Sequence, residues 1–125
     1  MMKKVLDEIA RIRKATGYSL QGLKQAWVGE AAFRFEVVLA CVLIPLALLL
    51  PLSIVERWIL IASVVFVLVV ELLNSAVEAA IDRIGSERHA LSGQAKDMGS
   101  AAVFVGLNFL GITWLLVLAN HFWPF

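Results

Sequence analysis

The stretch that decides the fold reads ILIASVVFVLVVELLNSAVEAAID over residues 59–82. Its first half is apolar except for Ser63, and a helix needs about 20 such residues to cross the hydrocarbon core of a bilayer. Its second half carries carboxylates on the same predicted helix. An ionisable side chain inside a spanning helix costs roughly 2.5–3.5 kcal/mol on insertion scales, so by default it marks a functional site.

Composition places the whole chain in the same class of protein. Of its 125 residues, 61% are hydrophobic and only 17% are charged, which is too apolar for an ordinary small soluble domain. We therefore predict an all-α membrane protein in which residues 1–125 form one domain. The predicted parts are a cytoplasmic or interfacial helix within 1–35, transmembrane helices over 37–55, 58–81 and 101–123, and a cytoplasmic loop over 82–100.

The segment before the first span is amphipathic. Val5, Leu6, Ile9 and Ile12 recur at helical spacing between charged residues, a pattern typical of a helix that lies on a membrane surface. Gly17-Tyr18-Ser19 is expected to interrupt this helix, with a second helical segment from about Leu20 to Phe35 that runs into the first span.

Basic residues predict the topology. They are concentrated before the first span and in the 82–100 loop, whereas Arg57 alone lies in the first connection. Because positively charged loops stay in the cytoplasm, we expect the N-terminus and the 82–100 loop to be cytoplasmic. The 51–57 turn and the C-terminus then lie outside. Pro51 is expected to end the first span.

The polar residues of the second span share one face. Glu71, Asn74, Glu78 and Asp82 are spaced by three, four and four residues, so at about 100° per residue they fall within about 80° of one another. Ser75 lies beside them. With a rise of about 1.5 Å per residue, Glu78 lies about 6 Å and Glu71 about 16 Å deeper than Asp82. We call these four residues the polar stripe; it is predicted to descend from the cytoplasmic surface into the bilayer.

Three interpretations of the stripe differ in function. The carboxylates could pair with Lys or Arg of a neighbouring helix and hold an assembly together, but the other two spans have no Lys or Arg in their interiors. An ion-coupled carrier needs polar groups across the whole membrane, and here they occupy one side only. The third interpretation is an enzyme that joins a water-soluble reagent to a lipid, with carboxylates that suit Mg²⁺.

The 82–100 segment and the third span complete the pattern. Ser92 and Ser100 are plausible helix caps, and Lys96 could neutralise a polyphosphate. No GxxxxGK[ST] phosphate loop is present, so the motifs alone do not name ATP. In the third span, Gly106, Asn108, Gly111 and Thr113 are typical of close helix packing with occasional hydrogen bonds between helices.

Four segments together resemble the small prokaryotic diacylglycerol kinase family. They are RIRKATGYS (11–19), GLKQAW (22–27), EAAFRFE (30–36) and VELLNSAVEAAIDRIGSERHALSGQAKDMGSAAV (70–103). The resemblance covers nearly the whole chain. It implies a homotrimer in the bacterial inner membrane, with active sites shared between subunits, that transfers the γ-phosphoryl group of MgATP to 1,2-diacylglycerol in phospholipid recycling. The implied partners are diacylglycerol, ATP and membrane lipids, and no nucleic acid.

The resemblance also implies a role for individual residues. Glu71 would be the catalytic base supported by Asn74, and Glu30 and Glu78 would hold Mg²⁺ and contact ATP. The other ATP contacts would be Arg11, Tyr18, Glu87, Arg88, His89, Lys96 and Asp97. The lipid would be bordered by Arg11, Ala15, Thr16, Gly17, Tyr18, Ser19, Leu20, Lys24, Gln25, Ala26, Trp27, Ala32, Phe33, Arg34, Phe35, Glu36, Glu71 and Ser100.

Two alternatives stay open at this point. Undecaprenol kinases of the same family phosphorylate a polyprenol with the same catalytic set, and nothing in the polar stripe distinguishes the two lipids. A small ion-coupled transporter subunit is the alternative from a different class of protein.

Overall fold

The structure, a computed structural model, describes residues 1–123. The elements in this range are α-helices and no strand occurs among them. The helices are α1 (Met2–Gly29), α2 (Ala31–Leu49), α3 (Ile54–Ile84) and α4 (Ala90–Phe122). Helices α2, α3 and α4 are long and apolar enough to cross a membrane. This confirms the predicted all-α membrane fold with an N-terminal helix before three spans.

Helix α1 is continuous through Gly17-Tyr18-Ser19, so the predicted interruption is wrong. A glycine inside a helix costs only about 1 kcal/mol relative to alanine, which the flanking helical residues offset. Thr16 Oγ1 donates to the Ile12 carbonyl and Ser19 Oγ to the Ala15 carbonyl, at 2.9 Å each. Both hydroxyls are thereby satisfied by the helix itself. Val5, Leu6, Ile9 and Ile12 are all exposed, as on a helix whose apolar face rests on a bilayer.

The chain breaks instead at Glu30, between α1 and α2. Glu30 is extended, with φ −118° and ψ 107°. Arg34 fixes this junction, because its Nη1 donates to the Trp27 carbonyl at 2.8 Å and to the Val28 carbonyl at 3.0 Å. Those carbonyls lie in the last turn of α1, where no helical partner is available. The side chain of Arg34 therefore caps α1 from the first turn of α2.

The α2–α3 connection is a short turn closed by polar contacts. Helix α2 ends at Leu49, before Pro51, and residues 54–55 already belong to α3. Ser53 and Glu56 form a capping box at the start of α3, with bonds of 3.1 and 3.2 Å. Arg57 Nε donates to the Ala47 carbonyl at 3.0 Å and its Nη2 to the Leu50 carbonyl at 3.1 Å. One arginine thus satisfies the carbonyl end of α2.

The connection between α3 and α4 is much shorter than the predicted 82–100 loop. Helix α3 continues to Ile84 and α4 begins at Ala90. His89 caps α4 by accepting the Leu91 N–H on Nδ1 at 3.1 Å. Ser92 and Ser100 lie inside α4 and are not caps. A side-chain acceptor directly before the helix satisfies its first N–H groups, so no serine is needed there.

Helices α2, α3 and α4 share one core. Leu60, Val64 and Val67 of α3 are buried between Ala40 and Ala47 of α2 and Leu110 and Trp114 of α4. Gly106 faces Phe66 of α3, where an added Cβ would lie at an ordinary contact distance of 3.7 Å from the ring. Asn108 makes no bond between helices; its Nδ2 donates to the Phe104 carbonyl of its own helix at 2.8 Å. That bond satisfies the amide on an otherwise apolar outer face.

Candidate active site

Two carboxyl groups are buried side by side where α2 meets α3. Glu36 is 4% exposed and Glu71 is 3% exposed, and the two side chains lie within hydrogen-bonding reach of each other. In an apolar setting, two carboxylates this close are stable only with a proton or a cation between them. Among residues 1–123, neither of them forms an ion pair.

The position of Glu36 follows from the packed face of α2. The buried residues of this helix are Phe33, Glu36, Ala40 and Ala47, at spacings that fall on one face. Small residues such as Ala40 and Ala47 let α3 approach closely. Glu36 therefore points inward against α3 rather than outward to lipid.

Two further carboxylates complete an acidic cluster. Glu30 and Glu78 are close enough for their charges to act on Glu71. Glu30 lies at the α1–α2 junction, and Glu78 lies about two helical turns after Glu71 on α3. Both are partly buried. We call Glu30, Glu36, Glu71 and Glu78 the acidic cluster. It draws on α2, α3 and the junction that Arg34 holds.

Burial along the polar stripe falls towards the end of α3. Glu71 is buried, Asn74 and Glu78 are half-buried, and Asp82 is exposed. The Asn74 Oδ1 and Ser75 Oγ atoms are enclosed and have no hydrogen-bond partner. Buried polar atoms without a partner are rare in folded proteins. Asn74 and Ser75 can therefore each form a further hydrogen bond, close to the carboxylates of the stripe.

A polar cavity of about 520 Å³ lies at the α3–α4 turn. Its lining includes the predicted nucleotide residues Glu87, Arg88, His89 and Lys96 together with Asp82. Lys96 Nζ contacts Asp82 Oδ1 at 3.0 Å. Because Asp82 is one helical turn from Glu78, this cavity adjoins the surface end of the acidic cluster.

A second cavity of about 590 Å³ lies between α1 and α3 and is mostly apolar. Ser19, Gln25 and Ala26 of the predicted lipid set line it, and Glu30 and Ser75 supply polar atoms. Gln25 also lines a smaller cavity of about 490 Å³ along α1, together with Lys24. The apolar cavity has the character expected for a lipid backbone near the membrane surface.

The remaining predicted site residues line neither the polar nor the apolar cavity. Arg11 and Tyr18 lie on the exposed part of α1, where Arg11 pairs with Glu8 at 2.9 Å. The other exposed members of the predicted sets are Ala15, Thr16, Gly17, Leu20, Trp27, Ala32, Phe35, Asp97 and Ser100. Phe33 is buried, and Arg34 caps α1.

The donor set at the acidic cluster suits a hard cation. Over the described residues 1–123, no group of three or more His, Cys, Asp or Glu side chains is close enough to hold a metal ion alone. Mg²⁺ does not require such a cage, because it usually takes one or two carboxylates together with substrate phosphates and water. Glu30 and Glu78, whose charges act on Glu71, fit that pattern of partial coordination, and Glu36 and Asn74 each carry a buried oxygen with no hydrogen-bond partner within residues 1–123.

Sequence reasoning missed two features of the site. It placed Glu36 with the lipid contacts and not beside Glu71, because α2 is apolar on most sides and its spacing does not reveal which face packs against α3. It also assigned no protein partner to Lys96, which pairs with Asp82. The Lys96–Asp82 contact joins α4 to α3, and no local sequence pattern predicts it.

Fold and site together define a small multi-span membrane protein with an acidic centre at one end of its helices, beside a polar cavity.

The sequence model of the prokaryotic diacylglycerol kinase family matches residues 17–118. The chain is 53% identical over 112 residues to the diacylglycerol kinase of Escherichia coli K12, covering 90% of this chain and 92% of that protein. It is 56% identical over 110 residues to that of Pseudomonas aeruginosa, covering 88% and 89%. The match to the Haemophilus influenzae diacylglycerol kinase is 54% over 106 residues, covering 85% and 90%. This chain belongs to the prokaryotic diacylglycerol kinase family, and it is an enzyme of the kinase class.

Proposed function

We propose that this protein transfers the γ-phosphoryl group of ATP to the free hydroxyl of 1,2-diacylglycerol and yields phosphatidate. Supporting this are its kinase family and the acidic cluster at the membrane end of a polar cavity. The observation that carries the proposal is the burial of Glu71 beside Glu36 in a helix that can span the membrane. A carboxylate at that depth can reach the hydroxyl of a neutral lipid.

Glu71 is the proposed base of the reaction. It accepts the proton of the lipid hydroxyl while that oxygen attacks the γ-phosphorus, and the bond from phosphorus to the leaving oxygen of ADP breaks. Phosphoryl transfer depends mainly on positioning and on neutralising phosphate charge, so the chain needs few other chemical groups. Glu36 is the proposed positioning residue, because its carboxyl group holds Glu71 from the packed face of α2.

The polar cavity is the proposed nucleotide site. Lys96 and Arg88 would neutralise phosphate charge there. Lys96 would exchange Asp82 for a phosphate oxygen when ATP binds. Glu30 and Glu78 would hold Mg²⁺, which would offset the negative charge of the phosphates that meet the acidic cluster. Asn74 would supply a neutral polar contact between Glu71 and Glu78.

The proposed assembly is a homotrimer in the bacterial inner membrane, with the N-terminus and the α3–α4 turn in the cytoplasm. Basic residues before α2 and near the α3–α4 turn support this orientation. Arg11 and Tyr18, exposed on α1 in the single chain, would then contact substrates bound to a neighbouring subunit. Phospholipid recycling is the proposed role of this reaction in the cell.

Transfer of labelled γ-phosphate from MgATP in mixed micelles tests the proposal. The purified full chain is offered dioleoylglycerol and undecaprenol in parallel, and labelled lipids are separated and counted. We expect diacylglycerol to be labelled in strong preference. Preferential labelling of undecaprenol would keep the mechanism and overturn the substrate. Labelling of neither by folded protein would overturn the kinase function, and proton flux in liposomes without ATP consumption would then support a transporter.

A further inference from the structure

Gly99 of α4 lies directly against the side chain of Asn74 on α3. A Cβ atom added at Gly99 would overlap Asn74 Oδ1 and would lie 3.3 Å from Asn74 Cγ. The other glycines of α4 differ in this respect. A Cβ at Gly106 would meet the Phe66 ring at an ordinary 3.7 Å, and one at Gly93 or Gly111 would meet nothing within 4 Å.

Within the described part of the chain, the oxygen of the Asn74 amide accepts no hydrogen bond, so its contact with Gly99 fixes its position. Asn74 Oδ1 is buried and has no hydrogen-bond partner. It occupies the place that a side chain at residue 99 would fill, so the contact it makes is with the glycine backbone. Contacts of Cα–H groups with oxygen recur where helices approach closely, and each is weak. The amide is thus placed by the shape of the α3–α4 interface.

Asn74 occupies a sensitive position. It lies three residues after Glu71 and four before Glu78, so on a helix its side chain lies between the two carboxylates. Gly99 lies three residues after Lys96 on α4, on a similar face of that helix. The same α3–α4 contact therefore sets both the Asn74 amide and the position of Lys96 relative to the acidic cluster.

We propose that Gly99 is a positioning residue for phosphoryl transfer, whose missing side chain lets α4 fix the Asn74 amide between Glu71 and Glu78. The proposal rests on the proposed kinase function. A side chain at residue 99 forces either the amide to rotate or α4 to move away. Either shift changes the contact that fixes the Asn74 amide beside the acidic cluster, and a displacement of about 1 Å in an active site can cost roughly 100-fold in rate.

The test compares Gly99→Ala, Asn74→Ala and the double variant in the full chain, with Gly111→Ala as the matched control on the same helix. We expect Gly99→Ala to lower kcat roughly 10- to 100-fold with little change in KM for MgATP. Gly111→Ala should retain wild-type kcat, since nothing lies within 4 Å of its added Cβ. Alanine also favours the helix over glycine, so a general loss of helix is not the expected cause.

The double variant separates positioning from general damage. If Gly99 acts through Asn74, the double variant has the kcat of Asn74→Ala alone, because the amide that clashes is already gone. A double variant much slower than Asn74→Ala overturns the proposal, and so does wild-type kcat in Gly99→Ala. If Gly99→Ala fails to fold, the double variant decides. A double variant that folds and has the kcat of Asn74→Ala supports the positioning role of Gly99, and a double variant that does not fold overturns it. Absence of phosphate transfer by the wild-type chain would instead overturn the kinase function.

Discussion

Glu36 and Glu71 are buried where the spanning helices pack together, and their side by side position is costly for folding. Each carboxyl group has lost most of its water, and removing an ionised carboxylate from water without a partner costs several kcal/mol. Among the described residues, no Lys or Arg forms an ion pair with either group. The cost of burying this pair supports the catalytic role proposed for Glu71.

The Glu36 side chain gives the first prediction. Glu36→Ala removes the group proposed to orient Glu71 and should lower kcat roughly 100-fold, whereas Glu36→Gln can donate a hydrogen bond to Glu71 through its amide and should retain much more activity. KM for MgATP should change little in either variant. Steady-state kinetics in mixed micelles measure this, with exposed Asp7→Asn as the control. Equal loss in the Ala and Gln variants would contradict a positioning role.

The sequence predicts which residues form the polar stripe, but it does not predict which residues of α2 and α4 contact them. Glu71, Asn74 and Glu78 lie on one helix, so their common face follows from spacing alone. The partners of these residues, Glu36 and Gly99, come from other helices. Which residue of α2 or α4 meets a given residue of α3 depends on how the helices pack, and a periodic apolar sequence does not determine that.

The α1–α2 junction is the element that carries Glu30 to the acidic cluster. Its geometry depends on Arg34, which donates to two carbonyls at the end of α1. Within residues 1–123 these two bonds come from Arg34 of α2, and α1 has no basic residue in its own last turn. Because α1 is exposed over most of its length, this junction is a main anchor of α1 to the spanning helices.

Arg34→Met gives the second prediction. Loss of the capping bonds should lower the free energy of unfolding by about 1 kcal/mol and raise KM for MgATP, because Glu30, a proposed Mg²⁺ ligand, is no longer held near Glu71. Thermal unfolding in micelles and steady-state kinetics measure the two effects. Arg13→Met, on the exposed part of α1, is the matched control for stability. Unchanged KM together with unchanged stability would contradict the role assigned to Arg34.

The α2–α3 turn gives the third prediction, which concerns stability alone. Arg57 satisfies the carbonyls of Ala47, Leu50 and Leu52. Arg57→Met leaves these carbonyls without that donor and should lower the free energy of unfolding by about 1–3 kcal/mol. Since the turn lies at the opposite end of α3 from the polar cavity, kcat of the folded variant should match the wild type. A selective loss of kcat at full stability would refute this assignment.

Element boundaries were predicted less well than element types. Length and hydropathy identified the three spanning helices, and they are present. The predicted break at Gly17–Ser19 was wrong, because one glycine costs less than a helix of this length gains. The predicted 82–100 loop was too long, because His89 rather than a serine caps α4. Such caps depend on individual side chains that hydropathy does not register.

At the scale of the whole molecule, one chain leaves its cavities open. The polar and apolar cavities are bounded on some sides only, and Arg11 lies on the exposed part of α1. A chain of 125 residues with three spans encloses little space by itself. The proposed trimer would bring a second chain to each site and complete the set of substrate contacts.

Mixing two inactive variants tests the shared site and is the fourth prediction. Arg11→Met and Glu71→Gln subunits are dissociated, mixed in equal amounts and reassembled in detergent. If Arg11 serves the Glu71 of a neighbouring subunit, one site in four is intact, so about a quarter of wild-type activity should return for a cyclic assembly. Reassembly of each variant alone is the control. No recovery in reassembled mixed oligomers would mean that both residues serve one site within one chain.

Single-turnover transfer of labelled γ-phosphate to diacylglycerol by Glu71→Gln, compared with the wild-type chain, decides whether Glu71 is the base. Glutamine keeps the shape of the side chain but cannot accept the proton of the lipid hydroxyl. We predict that transfer is abolished while MgATP binding, secondary structure and the size of the assembly stay unchanged. Transfer at the wild-type rate, or loss of the folded assembly in its place, would contradict the assignment of Glu71 as the base.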